Sequence, residues 1–296
     1  MAALTRSTID HADLRDTFCF GVAGNFAGHL EQAGEAVDFV NVAATAQMPK
    51  GIFPWYAPGS ETFLGAVPIS ADTLAVPDPE VAPGRIQVEP ELALLCDVRR
   101  DDDGTVHALV PRWVAAFDDC SLRRPNALKI SHKKNWGAGS KGLATTAFEA
   151  GDLRADGPLA SLRLACFLRR GEATHAYGVD SAIPTYTLFG DALLEWLVDR
   201  LRTQRGSADT PLEDVGALLA GTPRATQVLV GVGASRYEPY GETTFVVPGD
   251  EAVVVLYDAD EHAPELVAEH VAMRRDDELH AASVLRRRAA RVDHEA

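Results

Sequence analysis

The sequence predicts an α+β protein in which strands outnumber helices. Short apolar runs of strand length recur along the chain, as in residues 86–98 and 106–117. Helical periodicity with signals for a helix end is found in few stretches, of which residues 190–206 are the clearest. With 46% hydrophobic and 24% charged residues, the chain has the composition of a globular protein with a real core.

For the N-terminal part of the chain, the sequence predicts one strand, one helix and a long irregular region. A short strand is predicted at residues 17–23, before a glycine turn. A helix is predicted to begin near Asn25, because asparagine is a favourable N-cap residue. Residues 48–85 are rich in proline and glycine and predict irregular loops with short strands.

The middle of the chain predicts a series of strands. Residues 86–98 and 106–117 are two apolar runs of strand length. Pro90 cannot donate a ladder hydrogen bond, so we expect an edge, a strand entrance or a bulge at this residue. Residues 159–171 alternate between apolar and polar side chains, as is typical of a half-buried strand.

The second half predicts two helices, each followed by a glycine, and two more strand regions. Residues 190–206 have apolar residues at helical spacing and basic residues before the closing glycine. Thr210 and Glu213 have the spacing of a capping box and predict a short helix that starts at residue 210. The predicted strand regions are residues 226–233 and residues 244–258, the latter divided by a Pro-Gly-Asp turn.

The C-terminal segment and the domain organisation complete the prediction. Residues 264–292 predict a charged amphipathic helix on the surface, and its three consecutive arginines are interpreted as a solvated face. No clear linker separates two halves. We therefore expect one integrated domain, with an N-terminal section (1–80) and a core (81–296) that ends in the C-terminal helix.

Charge and cysteine usage exclude several classes of partner. The 296 residues carry a formal net charge of −15, which argues against nucleic acid and against an anionic membrane as partners. No apolar run approaches the roughly 20 residues of a membrane helix. The four cysteines are widely separated and lack metal-binding spacing, so we expect buried thiols and a cytoplasmic protein.

Carboxylates stand at the ends of two predicted strands. Glu89 and Glu91 are two positions apart, and in an extended strand such residues point to the same face. Asp118 and Asp119 follow the second strand. Two glutamates and one of these aspartates form an all-oxygen set that suits Mg²⁺, Mn²⁺ or Ca²⁺. The alternative is that the acidic pair simply faces water.

Two further features have both a structural and a functional interpretation. Residues 127–142 concentrate four lysines in an otherwise acidic chain: Lys129, Lys133, Lys134 and Lys141. Such a segment is commonly a solvated surface loop, but a lysine near a cation site also holds an anionic substrate or a developing oxyanion. His29 on the predicted first helix is the second feature, and a lone histidine is usually structural.

The order and spacing of these motifs resemble the fumarylacetoacetate hydrolase (FAH) family. Gly24-Asn25 and His29 resemble the family's lid motif, and Glu89-Pro90-Glu91-Leu92-Ala93 resembles its Glu-x-Glu-Leu-Ala motif. The Asp-x-Ser-x-Arg motif is matched by residues 119–123, and the family lysine is matched by Lys141. The Pro-Gly-Asp turn at residues 248–250 also matches, so the resemblance covers about residues 18–258.

The resemblance implies a mixed β-roll with a few peripheral helices and a metal-dependent site in its open end. It implies that Mg²⁺ or Mn²⁺ is held by Glu89, Glu91 and Asp119. It assigns catalytic roles to His29, to a nearby glutamate, for which Glu31 is the candidate, and to Lys141. It also implies a homodimer and a small anionic oxo-acid substrate, which would be bound by Arg123, Lys134 and Asn25.

The predicted reaction is hydrolysis of a C–C bond in a small dicarbonyl or 2-oxo acid, through a metal-held enolate. The family often has a glutamate three residues after the lid histidine, but this chain has Gln32 there. Decarboxylase, hydratase or isomerase chemistry is therefore a near alternative. A protein that binds metal and anion without turnover, and a domain without any site, also remain open.

Overall fold

The computed structural model describes residues 4–35, 39, 48–80, 82, 84–124, 127–207, 210–222 and 224–292. The strands are, in chain order, β1 (Arg6–Thr8), β2 (Phe18–Ala23), β3 (Gly51–Tyr56), β4 (Ile69–Ser70), β5 (Thr73–Pro77), β6 (Arg85–Gln87), β7 (Pro90–Arg100), β8 (Val106–Asp118), β9 (Ser121–Arg123), β10 (Lys141–Leu143), β11 (Thr146–Glu149), β12 (Leu162–Arg170), β13 (Ala173–Ala182), β14 (Gln227–Gly231), β15 (Glu251–Asp258) and β16 (Ala282–Val292). The α-helices are α1 (His29–Gln32), α2 (Asp191–Thr203), α3 (Val215–Ala220), α4 (Pro239–Thr243) and α5 (Pro264–Ala272).

Two sheets organise the described residues. The larger sheet has nine strands in the order β1-β11-β8-β7-β14-β2-β3, and β10 pairs with both β8 and β4 beside it. The second sheet has five strands in the order β13-β12-β15-β16-β5, and β6 and β9 form a separate pair. The predicted β-rich α+β class is confirmed. Because β2, β3 and β4 join the same sheet as β7 and β8, the N-terminal section contributes directly to this sheet.

The long strand β7 is covered on both faces. Leu92 and Leu94 belong to the main hydrophobic core, whereas Ala93 and Leu95 belong to a second core cluster. Successive side chains of a strand point to opposite faces, so each face of β7 packs against its own cluster. This double burial explains why the segment is apolar throughout instead of alternating with polar residues.

The predicted helix at residues 190–206 is confirmed as α2. Its buried residues Leu193, Leu197 and Leu201 are four positions apart and therefore lie on one face. The predicted strands of the middle region correspond to β6 and β7, to β8 and to β12. Pro90 is the first residue of β7, where the absence of a backbone donor is tolerated.

The prediction of one C-terminal helix over residues 264–292 is wrong beyond Ala272. The helix α5 ends there, and residues 282–292 form strand β16, which pairs with β15 on one side and β5 on the other. The solvated interpretation of the three arginines is also wrong for Arg287, whose side chain is fully buried. Arg287 Nη1 donates to Asp118 Oδ2 at 2.7 Å, which compensates its charge within the core.

Two other helix starts differ from the predictions. The first helix begins at His29 and not near Asn25, after Gly28, whose φ of 83° favours glycine. The third helix begins at Val215 and not at residue 210, because Asp214 is its N-cap and accepts a hydrogen bond from Ala217 N at 2.9 Å. The predicted strand at residues 244–247 is reduced to an isolated bridge between Val246 and Ile86.

The carboxyl group of Glu213 is occupied elsewhere, which explains why the capping box does not form. Glu213 Oε1 accepts a hydrogen bond from Ser131 Oγ, and Glu213 Oε2 is buried and has no hydrogen-bond partner among the described residues. Burial raises the pKa of Glu213 to about 7, which the hydrogen bond from Ser131 only partly opposes. The folded protein therefore retains this proton at a pH where the unfolded chain has lost it.

The raised pKa of Glu213 predicts that the protein loses stability as the pH rises. Between the unfolded pKa of 4.5 and the folded pKa of about 7, the folded state binds more protons, so the free energy of unfolding falls. The expected loss in the free energy of unfolding is about 3 kcal/mol. This loss is complete above pH 7 and absent below pH 4.5. Urea denaturation from pH 4 to 8 should show that the free energy of unfolding of Glu213→Gln rises relative to that of the wild type as the pH increases. Parallel plots of the free energy of unfolding against pH for the two proteins would contradict this prediction.

Among the described residues, no helix has the length and apolar character needed to cross a membrane.

Candidate active site

Three carboxylates meet where β7 and β8 pair. In this antiparallel pair Pro90 lies opposite Asp118, and Asp119 N donates to the Glu89 carbonyl oxygen at 3.0 Å. Glu89 and Glu91 point to one face, and Asp119 joins them from the end of β8. The ligand oxygens of the three side chains lie within 4.8 Å of one another. Glu89, Glu91 and Asp119 are 3%, 2% and 0% exposed, so they do not face open water.

Asp118 has a different task from its neighbour Asp119. Its Oδ1 accepts from Glu89 N at 3.0 Å, and its Oδ2 accepts from Arg287 Nη1 at 2.7 Å. Asp118 thus fixes the backbone that carries Glu89. Burial raises the pKa of Asp118, although the nearby Arg287 guanidinium opposes this shift. The structure assigns Asp119, and not Asp118, to the carboxylate group.

The ammonium group of Lys134 lies between two of the three carboxylates. Lys134 Nζ donates to Glu89 Oε2, to Asp119 Oδ2 at 2.5 Å and to the Asp119 carbonyl oxygen at 3.2 Å. The side chain is 4% exposed. Burial alone would lower the pKa of Lys134, but the charges of Asp119 and Glu89 outweigh it and raise the pKa. Lys134 is therefore a buried ammonium ion.

Lys141 lies behind Asp119. Its Nζ donates to the Cys120 carbonyl oxygen at 2.7 Å and lies 3.3 Å from Asp119 Oδ1. Burial lowers the pKa of Lys141, with Asp119 acting in the opposite direction. Lys141 is not among the residues that line the cavity. In this structure it contacts the site through Asp119.

Arg123 is bound by protein groups on three sides. Its Nη2 donates to Glu89 Oε1 at 2.6 Å and to the Tyr237 hydroxyl at 3.1 Å. Its Nη1 donates to Glu35 Oε1 at 2.6 Å, and its Nε donates to Gln87 Oε1 at 2.8 Å. Arg123 was predicted to bind substrate. In the structure it holds Glu89 and Glu35 in position, and its role in substrate binding stays a prediction.

Two cationic side chains contact Glu89 and shift its pKa. Burial would raise the pKa of Glu89, but Lys134 and Arg123 outweigh this and hold the pKa well below its usual value. Glu91 has the opposite shift. Burial, together with the negative charge of Asp119, raises the Glu91 pKa well above its usual value. Glu89 is thus ionised, whereas Glu91 favours its proton when no other cation is bound.

His29 is buried at the edge of the carboxylate group. Its Nδ1 lies 2.9 Å from the Ser235 carbonyl oxygen, which can only accept, so Nδ1 carries the proton of the neutral ring. Its Nε2, which bears the lone pair in that neutral tautomer, lies 3.9 Å from Glu89 Oε1. The ring is therefore oriented by a backbone carbonyl and presents Nε2 to the carboxylates.

The glutamate that reaches the site is Glu35 and not Glu31. Glu31 is exposed on α1, whereas Glu35 lines the cavity and accepts from Arg123. Gln32 bonds to the backbone of Tyr237 on both sides, as acceptor at 2.9 Å and as donor at 3.1 Å. Because Glu35 follows the end of α1, helical geometry gave no signal for its position.

Asn25 has a structural role in the described part of the chain. Its side chain is fully buried and donates to the carbonyl oxygens of Leu188 and Val232, each at 3.0 Å. Its Oδ1 accepts from Leu188 N at 2.8 Å. Asn25 was predicted to bind substrate, but it is not among the residues that line the cavity.

A glycine is required where β14 passes the carboxylates. A Cβ atom on Gly231 would lie 2.6 Å from Glu91 Oε2 and 3.1 Å from the Phe117 ring. Two residues later, Gly233 N donates to Glu91 Oε2 at 3.0 Å. The close approach of this backbone to Glu91 explains why a side chain is absent at residue 231.

The cavity between these groups is small. Its volume is about 20 Å³, and its lining includes His29, Glu35, Glu91 and Lys134. This is room for about one water molecule and not for an organic acid. A substrate must therefore displace side chains or open the cavity.

The donor set fits a hard divalent cation. Three buried carboxylates supply oxygen ligands within 4.8 Å of one another, and Asp119 Oδ1 has no hydrogen-bond donor among the described residues. Oxygen-only ligand sets suit Mg²⁺, Mn²⁺ or Ca²⁺. The residues thus have the chemistry of a metal site.

A family of proteins matches most of the chain. The sequence model of a family described as a family of unknown function, DUF5718, matches residues 35–289. The chain belongs to this family. The matched range contains the three carboxylates, Arg123 and the lysine-rich segment of this DUF5718 protein, but begins after its His29. No curated protein matches the chain.

Solved structures share the fold of this DUF5718 protein. The crystal structure of Cg1458 with inhibitor matches with a TM-score of 0.50 and 14% identity, over 93% of this chain and 77% of that chain. The hexagonal crystal form of 2-keto-3-deoxyarabinonate dehydratase matches with a TM-score of 0.50 and 14% identity, over 96% of this chain and 82% of that chain. The predicted FAH-type fold is confirmed. At this identity the likeness concerns the fold alone.

Proposed function

We propose that this protein is an enzyme that acts on a small anionic dicarbonyl or 2-oxo acid with the help of Mg²⁺ or Mn²⁺. The observation that carries the proposal is the buried group of Glu89, Glu91 and Asp119, placed next to a histidine with a free lone pair. A structural role alone gives little reason to gather three carboxylates away from water, since each costs desolvation energy.

The three carboxylates would hold the cation. When bound, the cation supplies a Lewis acid that polarises the oxygens of a substrate with two adjacent oxygen groups. Arg123 keeps Glu89 ionised and oriented, since it donates to Oε1 at 2.6 Å. Lys141 holds Asp119 from behind at 3.3 Å and is a positioning residue in this proposal.

His29 would act as the base. Its Nδ1–H donates to the Ser235 carbonyl, so Nε2 is the atom that accepts a proton from water or from substrate. Hydrolysis of a C–C bond needs an attacking water, and the Nε2 position near the carboxylates supports its activation. This reaction is the first candidate.

A second candidate is decarboxylation, hydration or isomerisation. The observation that favours it is Gln32, which is bonded to Tyr237 and supplies no carboxylate to His29. Such reactions proceed without a base-activated attacking water, so they depend less on His29 and equally on the carboxylates.

A substrate screen tests the proposal. Acylpyruvates and related 2-oxo acids are incubated with the protein and Mg²⁺ or Mn²⁺, and with EDTA as the control. We expect turnover that requires the cation and that Glu91→Gln lowers at least about 100-fold. His29→Ala separates the two candidates, because only hydrolysis loses comparable activity. Binding of cation and acid without turnover would instead indicate a binding protein.

A further inference from the structure

The position of the Lys134 ammonium group raises the question of how a metal ion reaches these carboxylates. An ammonium ion has three N–H donors. In the structure all three have acceptors: Glu89 Oε2, Asp119 Oδ2 and the Asp119 carbonyl oxygen. Lys134 is therefore a fully bonded cation inside the carboxylate group.

A metal ion would need the same space. Mg²⁺ and Ca²⁺ bind oxygen ligands at about 2.0–2.6 Å. Lys134 Nζ lies 2.5 Å from Asp119 Oδ2 and is also hydrogen-bonded to Glu89. A cation bound to these same two oxygens, Glu89 Oε2 and Asp119 Oδ2, would overlap with the ammonium nitrogen. The cavity of about 20 Å³ offers no second position for a hydrated ion.

The local charges are also consistent with a single occupant. Among the described residues, the site already holds four cationic side chains: Arg123, Lys133, Lys134 and Lys141. A divalent cation added beside Lys134 would bring further positive charge next to these buried side chains. Such an addition is unfavourable in a medium of low dielectric constant.

The backbone around Lys134 is anchored, but its side chain has four rotatable bonds. Asn135 Nδ2 donates to the carbonyl oxygens of Trp55 and Ala66, each at 2.9 Å, and Lys134 N donates to the Ser131 carbonyl oxygen at 3.0 Å. The fold thus places the lysine beside the carboxylates. These rotatable bonds allow the ammonium group to move while the backbone stays in place.

We propose that Lys134 is the resident cation of the Glu89–Glu91–Asp119 group, and that a divalent cation binds only by displacing its ammonium group. The inference rests on the proposed cation site. In the metal-free protein Lys134 is hydrogen-bonded to two of the three buried carboxylates. Metal binding is then an exchange of one cation for another, and its affinity is lowered by the competing lysine.

The first experiment measures Mn²⁺ affinity by isothermal titration calorimetry. We expect Lys134→Met to bind Mn²⁺ at least about tenfold more tightly than the wild type, because the internal competitor is gone. Lys133→Met is the matched control. It removes one positive charge from the same segment, where Lys133 contacts Glu35 at 3.3 Å, and should change the affinity less than about threefold.

A second measurement uses the wild-type protein, in case Lys134→Met does not fold without metal. Amines are acylated in water with and without saturating Mg²⁺, and the modified lysines are mapped by mass spectrometry. Lys134 is expected to be unreactive without Mg²⁺ and to react when Mg²⁺ is bound. A Lys134 that stays unreactive while Mg²⁺ is bound would overturn the inference.

The outcomes separate this inference from the proposed function. Equal Mn²⁺ affinity in wild type and Lys134→Met overturns the competition and leaves the cation site intact. Tight binding by Lys134→Met with none by the wild type supports the competition and contradicts a metal-dependent wild-type enzyme. If neither protein binds Mn²⁺, both proposals fail.

Discussion

Glu89→Gln is expected to lower the free energy of unfolding by about 3–5 kcal/mol, and Glu91→Gln by less than about 1 kcal/mol. The two substitutions have the same chemistry and lie two residues apart. Glu89 bonds to Lys134 and Arg123, so its loss removes one carboxylate partner from each of two buried cations. Glu91 accepts from Gly233 N at 3.0 Å and has no ion pair among the described residues.

The measurement is urea denaturation at pH 7 with EDTA, which removes any bound divalent cation. Each variant is the control for the other, because both exchange a buried carboxyl group for an amide in the same cavity. Equal losses would contradict the charge distribution described here. A large loss for Glu91→Gln alone would mean that the Lys134 ammonium lies nearer Glu91 than Glu89.

Arg287→Met is expected to cost about 3–5 kcal/mol of stability, although the residue lies in a run of arginines that looks like a surface. The Arg287 and Asp118 side chains are both 0% exposed, and they are joined at 2.7 Å. The variant leaves the buried Asp118 carboxyl group without its cationic partner. It also removes the donors to the carbonyl oxygen of Thr73, at 2.9 and 3.1 Å, and to that of Gly139.

Urea denaturation measures this effect, and Arg288→Met is the matched control. Arg288 is the exposed neighbour on the same strand, so its replacement should change stability by no more than about 0.5 kcal/mol. Adding Asp118→Asn to Arg287→Met should restore about 1 kcal/mol or more, because it replaces the unpartnered buried carboxyl group with a neutral amide. Similar losses for the two arginine variants would show that Arg287 is not the buried partner of Asp118.

The strands of the core could be predicted because their signal is local. β7, β8 and β15 contain apolar runs and β12 alternates between apolar and polar residues, and burial on both faces or on one face demands these patterns. The same holds for α2, whose leucines repeat every four residues.

β16 could not be predicted from local signals. Its residues 282–292 include several arginines, and one of them points into the core. What makes this segment a strand is pairing with β15 and β5, which lie about 30 and 210 residues earlier in the chain. The carboxylate that makes the inward arginine acceptable, Asp118, is equally remote.

The sequence by itself determined the carboxylate group of this protein. Glu89 and Glu91 share a face because they are two positions apart in an extended strand, and the hairpin of β7 and β8 brings Asp119 beside them. Only the tertiary structure decided what surrounds these carboxylates. Lys134 and Glu35 reach them from loops, on side chains long enough to point in many directions. Their final contacts are set by packing and by the need to compensate buried charge, and neither leaves a periodic signal in the sequence.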